Sequence, residues 1–131
     1  ADFEASDLAH ATSSGRVLLV LRILKRLTEE QPVGLVRKVH WHFQRLLEAR
    51  AAMETGASAS EAMARLKPPV FFKAAPSFQA ELALWNTEKI EHALGRLTEA
   101  EQQMKSTGFP ADAVAGQCFL DLALMAKGEA P

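Results

Sequence analysis

The residues of this sequence best suited to hold a metal or move a proton are four histidines, His10, His40, His42 and His92. His40 and His42 invite a metal reading. On a helix, however, residues two apart project about 200° from each other, whereas ligand pairs need a spacing of three or four. They are therefore expected not to share an ion. His10 and His92 stand alone in sequence, and all four are read as solvated or hydrogen-bonded imidazoles. Ser13-Ser14 has no base nearby in sequence and reads as a turn and cap. The carboxylates Glu29, Glu30, Glu99 and Glu101 could act as general acids in principle, but carboxylates on helix surfaces are usually solvated. Cys118, the one cysteine, lies between Gln117 and Phe119, with no neighbouring cation to stabilise a thiolate. No G-x-x-x-x-G-K-[ST] string is present to cradle phosphates. The expectation is a chain with no catalytic residues, no cofactor, no metal and no small-molecule substrate.

The elements that would position these groups are helices. Apolar residues recur at helical spacing along most of the chain, no stretch alternates with period two, and tyrosine is absent. The sequence predicts an all-α, compact multi-helix bundle of about seven helices. The first helix runs from about Ser6 to Ser13-Ser14, with Gly15 placed to take the left-handed backbone that ends it. Val17, Leu18, Val20, Leu21, Leu24 and Leu27 give the second a wide apolar side, stopping near Gln31. Pro32 suits the first turn of the third, which reaches about Thr55 before Gly56. Ser58-Ala59-Ser60-Glu61 fits a capping box opening a short fourth helix, and Pro68-Pro69 closes it. Val70-Phe71-Phe72 reads as an apolar plug for the core. Pro76 begins a fifth helix, Asn86-Thr87 caps a sixth, and Gly108-Phe109-Pro110 separates that from a last helix over about Ala111 to Lys127.

Composition bounds the rest. The 131 residues fit one domain spanning 1–131, and a chain of this size buries roughly two thirds of the surface it exposes when unfolded. A formal net charge of −1, from 15 Lys and Arg against 16 Asp and Glu, gives no bulk attraction to nucleic acid or anionic membrane. The longest apolar run, Val17 to Leu21, is cut by Arg22 and is far shorter than a membrane span. A cytoplasmic, reducing setting is expected from the single cysteine. The opening Ala1-Asp2-Phe3 is what a piece of a longer protein would show.

Two helices carry apolar residues on more than one side. On the third, Val36, Val39, Phe43, Leu46, Leu47 and Met53 share a face, while Trp41 falls almost opposite, among Arg37, Lys38 and Arg45. Arg50 lies inside the apolar face, where it must reach out along its stem or find a partner. On the last helix Val114, Ala115, Cys118, Leu122 and Met125 form one stripe, with Leu120 and Leu124 across from it. One stripe makes the core and the other is expected to meet a partner, so Trp41, Arg37, Arg45, Leu120 and Leu124 are the candidate interface residues.

Several strings, in order, resemble a known family: His42-Phe43-Gln44-Arg45-Leu46, Pro68-Pro69-Val70-Phe71-Phe72-Lys73, Trp85, Ala100-Glu101 and Lys105-x-Thr107-Gly108-x-Pro110. Together they are similar to the C-terminal part of the delta subunit of bacterial DNA polymerase III. The resemblance covers about Leu8 to Met125 and rests on diffuse helical motifs, with no catalytic signature among them. It implies a collar domain of the clamp loader, the assembly that uses ATP to open the sliding clamp and place it on primed DNA during replication. In that family the C-terminal domains join in a closed collar, and delta lacks a working ATP site. The implied partners are the other clamp-loader subunits. A weak DNA contact through Lys105 and Phe109, in the loop after the sixth helix, would follow if DNA passes near the collar. A different class of function, a stand-alone helical nucleic-acid-binding module, would use Arg37, Lys38 and Arg45 on phosphates.

Overall fold

The structure, a computed structural model, describes residues 2–106 and 108–129. Thr107 of the string noted above lies outside the described residues. Among the described residues there are seven helices and no strand: α1 (Ala5–Ser13), α2 (Val17–Arg26), α3 (Pro32–Glu54), α4 (Ala59–Arg65), α5 (Ala75–Leu84), α6 (Thr87–Met104) and α7 (Ala111–Ala126). No helix is long and apolar enough to cross a membrane.

Local chemistry explains the boundaries. Ser58 and Glu61 form the expected capping box, Glu61 N donating to Ser58 Oγ at 3.1 Å and Ser58 N to Glu61 Oε1 at 2.9 Å. Asn86 caps α6 by accepting from Lys89 N at 2.8 Å. Helix α2 ends at Arg26, earlier than its apolar pattern suggests. Leu27 leaves the helix at φ −91 and ψ 47, and the ring of Pro32, in the first turn of α3, holds Gln31 extended at φ −70 and ψ 133, which keeps α2 from running on into α3.

Helix α3 is the axis of the bundle, packing along α6 and against α1, α4, α5 and α7. Its Val36, Val39, Phe43 and Leu46 are buried with Leu8, Ile90, Leu97, Phe119 and Leu122 in a core to which all seven helices contribute. The reading of Phe71-Phe72 as a core plug is corrected: they are 61% and 73% exposed and meet edge to face, with centroids 4.9 Å apart. Leu66 and Phe78, on either side of this segment in sequence, supply the buried contacts, and Val70 is tied down by a bond from its N–H to the Met63 carbonyl. Arg50 is half-buried and, among the described residues, its guanidinium makes only a long contact of 3.9 Å to Met53 Sδ, so its aliphatic stem does the packing.

Gly15 shows how tightly the turn between α1 and α2 meets the end of α7. It sits at φ +74, and a Cβ there would lie 2.7 Å from Lys127 Cγ and 3.2 Å from the Ala123 carbonyl oxygen. Gly15→Ala therefore combines a left-handed backbone with a collision against α7, and a loss of about 1–3 kcal/mol is expected in chemical denaturation. Unchanged stability would mean that the end of α7 yields freely.

Candidate functional site

The most unusual group in the bundle is a buried carboxylate. Glu81 projects from α5 on the side that also carries Phe78, Leu82 and Trp85, and it is fully buried. Burying a charge costs several kcal/mol unless hydrogen bonds satisfy it, and here both oxygens are met twice. On one, His42 Nε2 of α3 lies at 2.6 Å and Ser13 Oγ of α1 at 2.7 Å. On the other, His10 Nδ1 of α1 and Ser77 Oγ of α5 each lie at 2.6 Å. Three helices are thereby pinned to one side chain. Trp85, wholly buried beyond the end of α5, adds a bond from Nε1 to the Ser13 carbonyl at 2.8 Å. Its ring stacks edge to face on Phe43 at 4.8 Å.

Protonation follows from this arrangement. Burial by itself would raise the Glu81 carboxyl, but hydrogen bonds from His10 and His42 outweigh it and hold the group down to about 2. The carboxylate is thus ionised and can only accept, so His10 Nδ1 and His42 Nε2 carry the protons facing it. Burial pushes the His42 imidazole below its ordinary range, against the opposing pull of Glu81. His42 is accordingly a neutral donor at neutral pH.

His10, His42 and Glu81 form the one group of metal-ligating types that converges among the described residues, with ligand atoms within 4.8 Å of one another. The expectation that His10 stands alone is corrected: the fold brings it, from 32 positions away in sequence, against the His42 ring at 4.7 Å between centroids. The contacts are those of hydrogen bonds. Two ligands on one zinc ion stand farther apart than 2.6 Å, and Glu81 would have to surrender bonds that already satisfy it. The cluster works as a structural joint. Glu81, Ser77 and the joint role of Ser13 were missed in the sequence. The available signal was a glutamate at an apolar wheel position, three residues after Phe78 and four before Trp85.

Above the joint opens a cleft of about 520 Å³, with His10 and His42 among its lining residues. Trp41 stands on one wall, 41% exposed, with Lys38 Nζ 4.4 Å and the Arg45 guanidinium carbon 4.8 Å from its ring centroid. Phe71 and Lys73, from the loop before α5, line the same cleft. Arg45 also donates to the Pro68 carbonyl at 2.7 Å, fastening that loop to α3. Trp41 and Arg45 are thus brought together. Arg37 is turned elsewhere, bonding Glu101 of α6 at 3.0 Å, and Lys105 meets the same carboxylate at 3.1 Å. Leu120 and Leu124 are half-buried on α7 and do not line this cleft. Phe109 is exposed in the loop between α6 and α7. Cys118 is buried, and burial pushes its thiol up to about 12, which leaves it unreactive. No family model matches the chain, and no curated protein and no solved structure matches it.

Proposed function

We propose that the chain is a non-catalytic oligomerisation domain of the clamp-loader collar, joining sister subunits so that ATP-driven motion elsewhere in the assembly strains the sliding clamp without dispersing it. The observation that carries this reading is the half-exposed Trp41 set between two cations on the outer side of α3. Aromatics with guanidinium neighbours are the usual centre of a protein interface. A tryptophan offers roughly 150–250 Å² to bury, worth several kcal/mol at about 25 cal/mol per Å² before ordering costs. The resemblance of the motif order to that of delta subunits supports it, and residues of two of those motifs, Arg45 on one side and Pro68, Phe71 and Lys73 on the other, line one cleft. In this reading Arg45 positions the loop beside Trp41. Arg37 and Lys105 brace Glu101, and the half-buried Leu120 and Leu124 of α7 are the further residues that a sister subunit would cover.

A second reading has its own observation. Trp41, Phe71 and Phe72 stand exposed with Lys38, Arg45 and Lys73 around them, the alternation of rings and cations that binds single-stranded nucleic acid.

One set of measurements separates the two. Trp41→Ala with Leu124→Ser should leave the chain's own melting within a few degrees of wild type while weakening its assembly with clamp-loader subunits at least tenfold. If assembly survives intact, the interface lies elsewhere. If the wild-type chain binds no sister subunit but binds primed DNA with a steep salt dependence, the nucleic-acid reading replaces the collar.

A further inference from the structure

Helix α2 keeps an outer strip that nothing among the described residues covers. Val20 and Ile23 face inward, and α2 packs against α1 and α7. On the opposite side Leu18, Leu21, Arg22 and Lys25, spaced three, four and seven residues apart, run down one stripe. Leu18 is 78% exposed, the most exposed large apolar side chain of the bundle, and Leu21 is 41% exposed. Arg16, Arg22, Lys25 and Arg26 are exposed, and among the described residues none of them pairs with a carboxylate. Cations elsewhere, Lys38 and Lys73 among them, are likewise unpaired among the described residues; what distinguishes α2 is four such groups on one short helix and its N-cap with no acid between them. Beside Leu18 and Leu19 a hollow of about 370 Å³ opens, rimmed by Arg16, Arg22 and Lys127.

A member of a closed ring meets one neighbour on each side through two different surfaces. The Trp41 cleft and the hollow beside α2 share no lining residue. Resting on the collar reading, we infer that the α2 strip is the second of these surfaces and docks an acidic amphipathic helix of a sister subunit. Charge complementarity selects that occupant. Four unpaired cations and no acid on α2 or at its N-cap call for carboxylates, while Leu18, Leu21 and the hollow call for apolar side chains at helical spacing between them.

The test measures binding of the whole chain to each clamp-loader subunit separately, for wild type, for Leu18→Glu with Leu21→Glu, and for Trp41→Ala with Leu124→Ser. The α2 variant should melt like wild type and lose one neighbour at least tenfold while keeping the other, and the Trp41 variant should show the reverse. Arg22→Glu with Lys25→Glu repeats the first arm without touching an apolar residue, so a folding defect in the leucine variant leaves the question decidable. If the wild-type chain binds sister subunits and both α2 variants bind them equally well, the strip is not an interface and the collar reading stands. If the wild-type chain binds none of them, the inference falls together with that reading. If the α2 variants assemble normally but release phosphatidylserine vesicles or primed DNA that the wild type holds, the strip serves a lipid or nucleic-acid surface, and the inference is overturned.

Discussion

Glu81→Ala should destabilise the chain by about 3–5 kcal/mol, lowering the melting temperature on the order of 10–20 °C. The size follows from what the carboxylate satisfies. Its removal leaves the N–H group of His10 and the hydroxyl of Ser77 without their acceptor, while His42 keeps only Ser13 Oγ at 3.1 Å and the Ser13 hydroxyl falls back on the Ala9 carbonyl at 2.9 Å. Of these partners, His42 and Ser13 are themselves buried, so water does not readily replace what is lost. A void between α1, α3 and α5 adds to the cost. Replacing the three buried members together by apolar groups, Glu81→Leu with His42→Phe and Ser13→Ala, should recover much of the loss, because a buried polar network is costly when broken and close to neutral when its buried members are exchanged together, and the half-buried His10 and Ser77 can turn to water. Chemical unfolding of the single and triple variants checks both. A single variant within 1 kcal/mol of wild type would show that the joint bears no weight.

The helices were legible in the sequence because their signals are local. The Ser58–Glu61 box, the Asn86 cap, Pro32 at the start of α3 and Gly15 after α1 each act within one turn, and all appear where their chemistry places them. The end of α2 was misplaced because apolar periodicity continues through Leu27, whereas the backbone already leaves the helix at that residue, with φ −91 and ψ 47. Phe71-Phe72 was misread for a related reason: apolar character shows that a residue gains by burial, but not whether the core has room for it. The joint was illegible for a stronger one. Helical spacing correctly separates His40 from His42, yet the partners of His42 are Ser13 and Glu81, 29 and 39 positions away. Only the crossing of α1, α3 and α5 puts them within hydrogen-bond distance. Glu81 on an apolar face was a detectable conflict between pattern and residue, and such conflicts mark where a fold spends polarity for specificity.

Acid should dismantle the same joint, in two overlapping steps of one sign. His42 is held below the ordinary imidazole range, so the unfolded chain binds a proton more readily than the folded one. Its contribution is fully present above about pH 6.5 and declines as the pH falls below that. Glu81 is depressed from 4.5 to about 2, so its contribution is present above about pH 4.5 and is lost as the pH falls toward 2. A displacement of that size corresponds to about 3 kcal/mol for a fully buried group. Stability should therefore be level near neutrality, begin to fall below about pH 6.5 and fall most steeply below about pH 4.5. Glu81→Gln keeps the shape of the side chain and removes its titration. It should be less stable than wild type at pH 7, and the gap should persist down to about pH 4.5 and then narrow as the pH drops toward 3. Urea midpoints of both proteins measured across that range decide the matter. Parallel losses for wild type and Glu81→Gln from pH 6.5 to 3 would show that acid acts elsewhere in the bundle, and that Glu81 is not the group whose charge α1, α3 and α5 are built around.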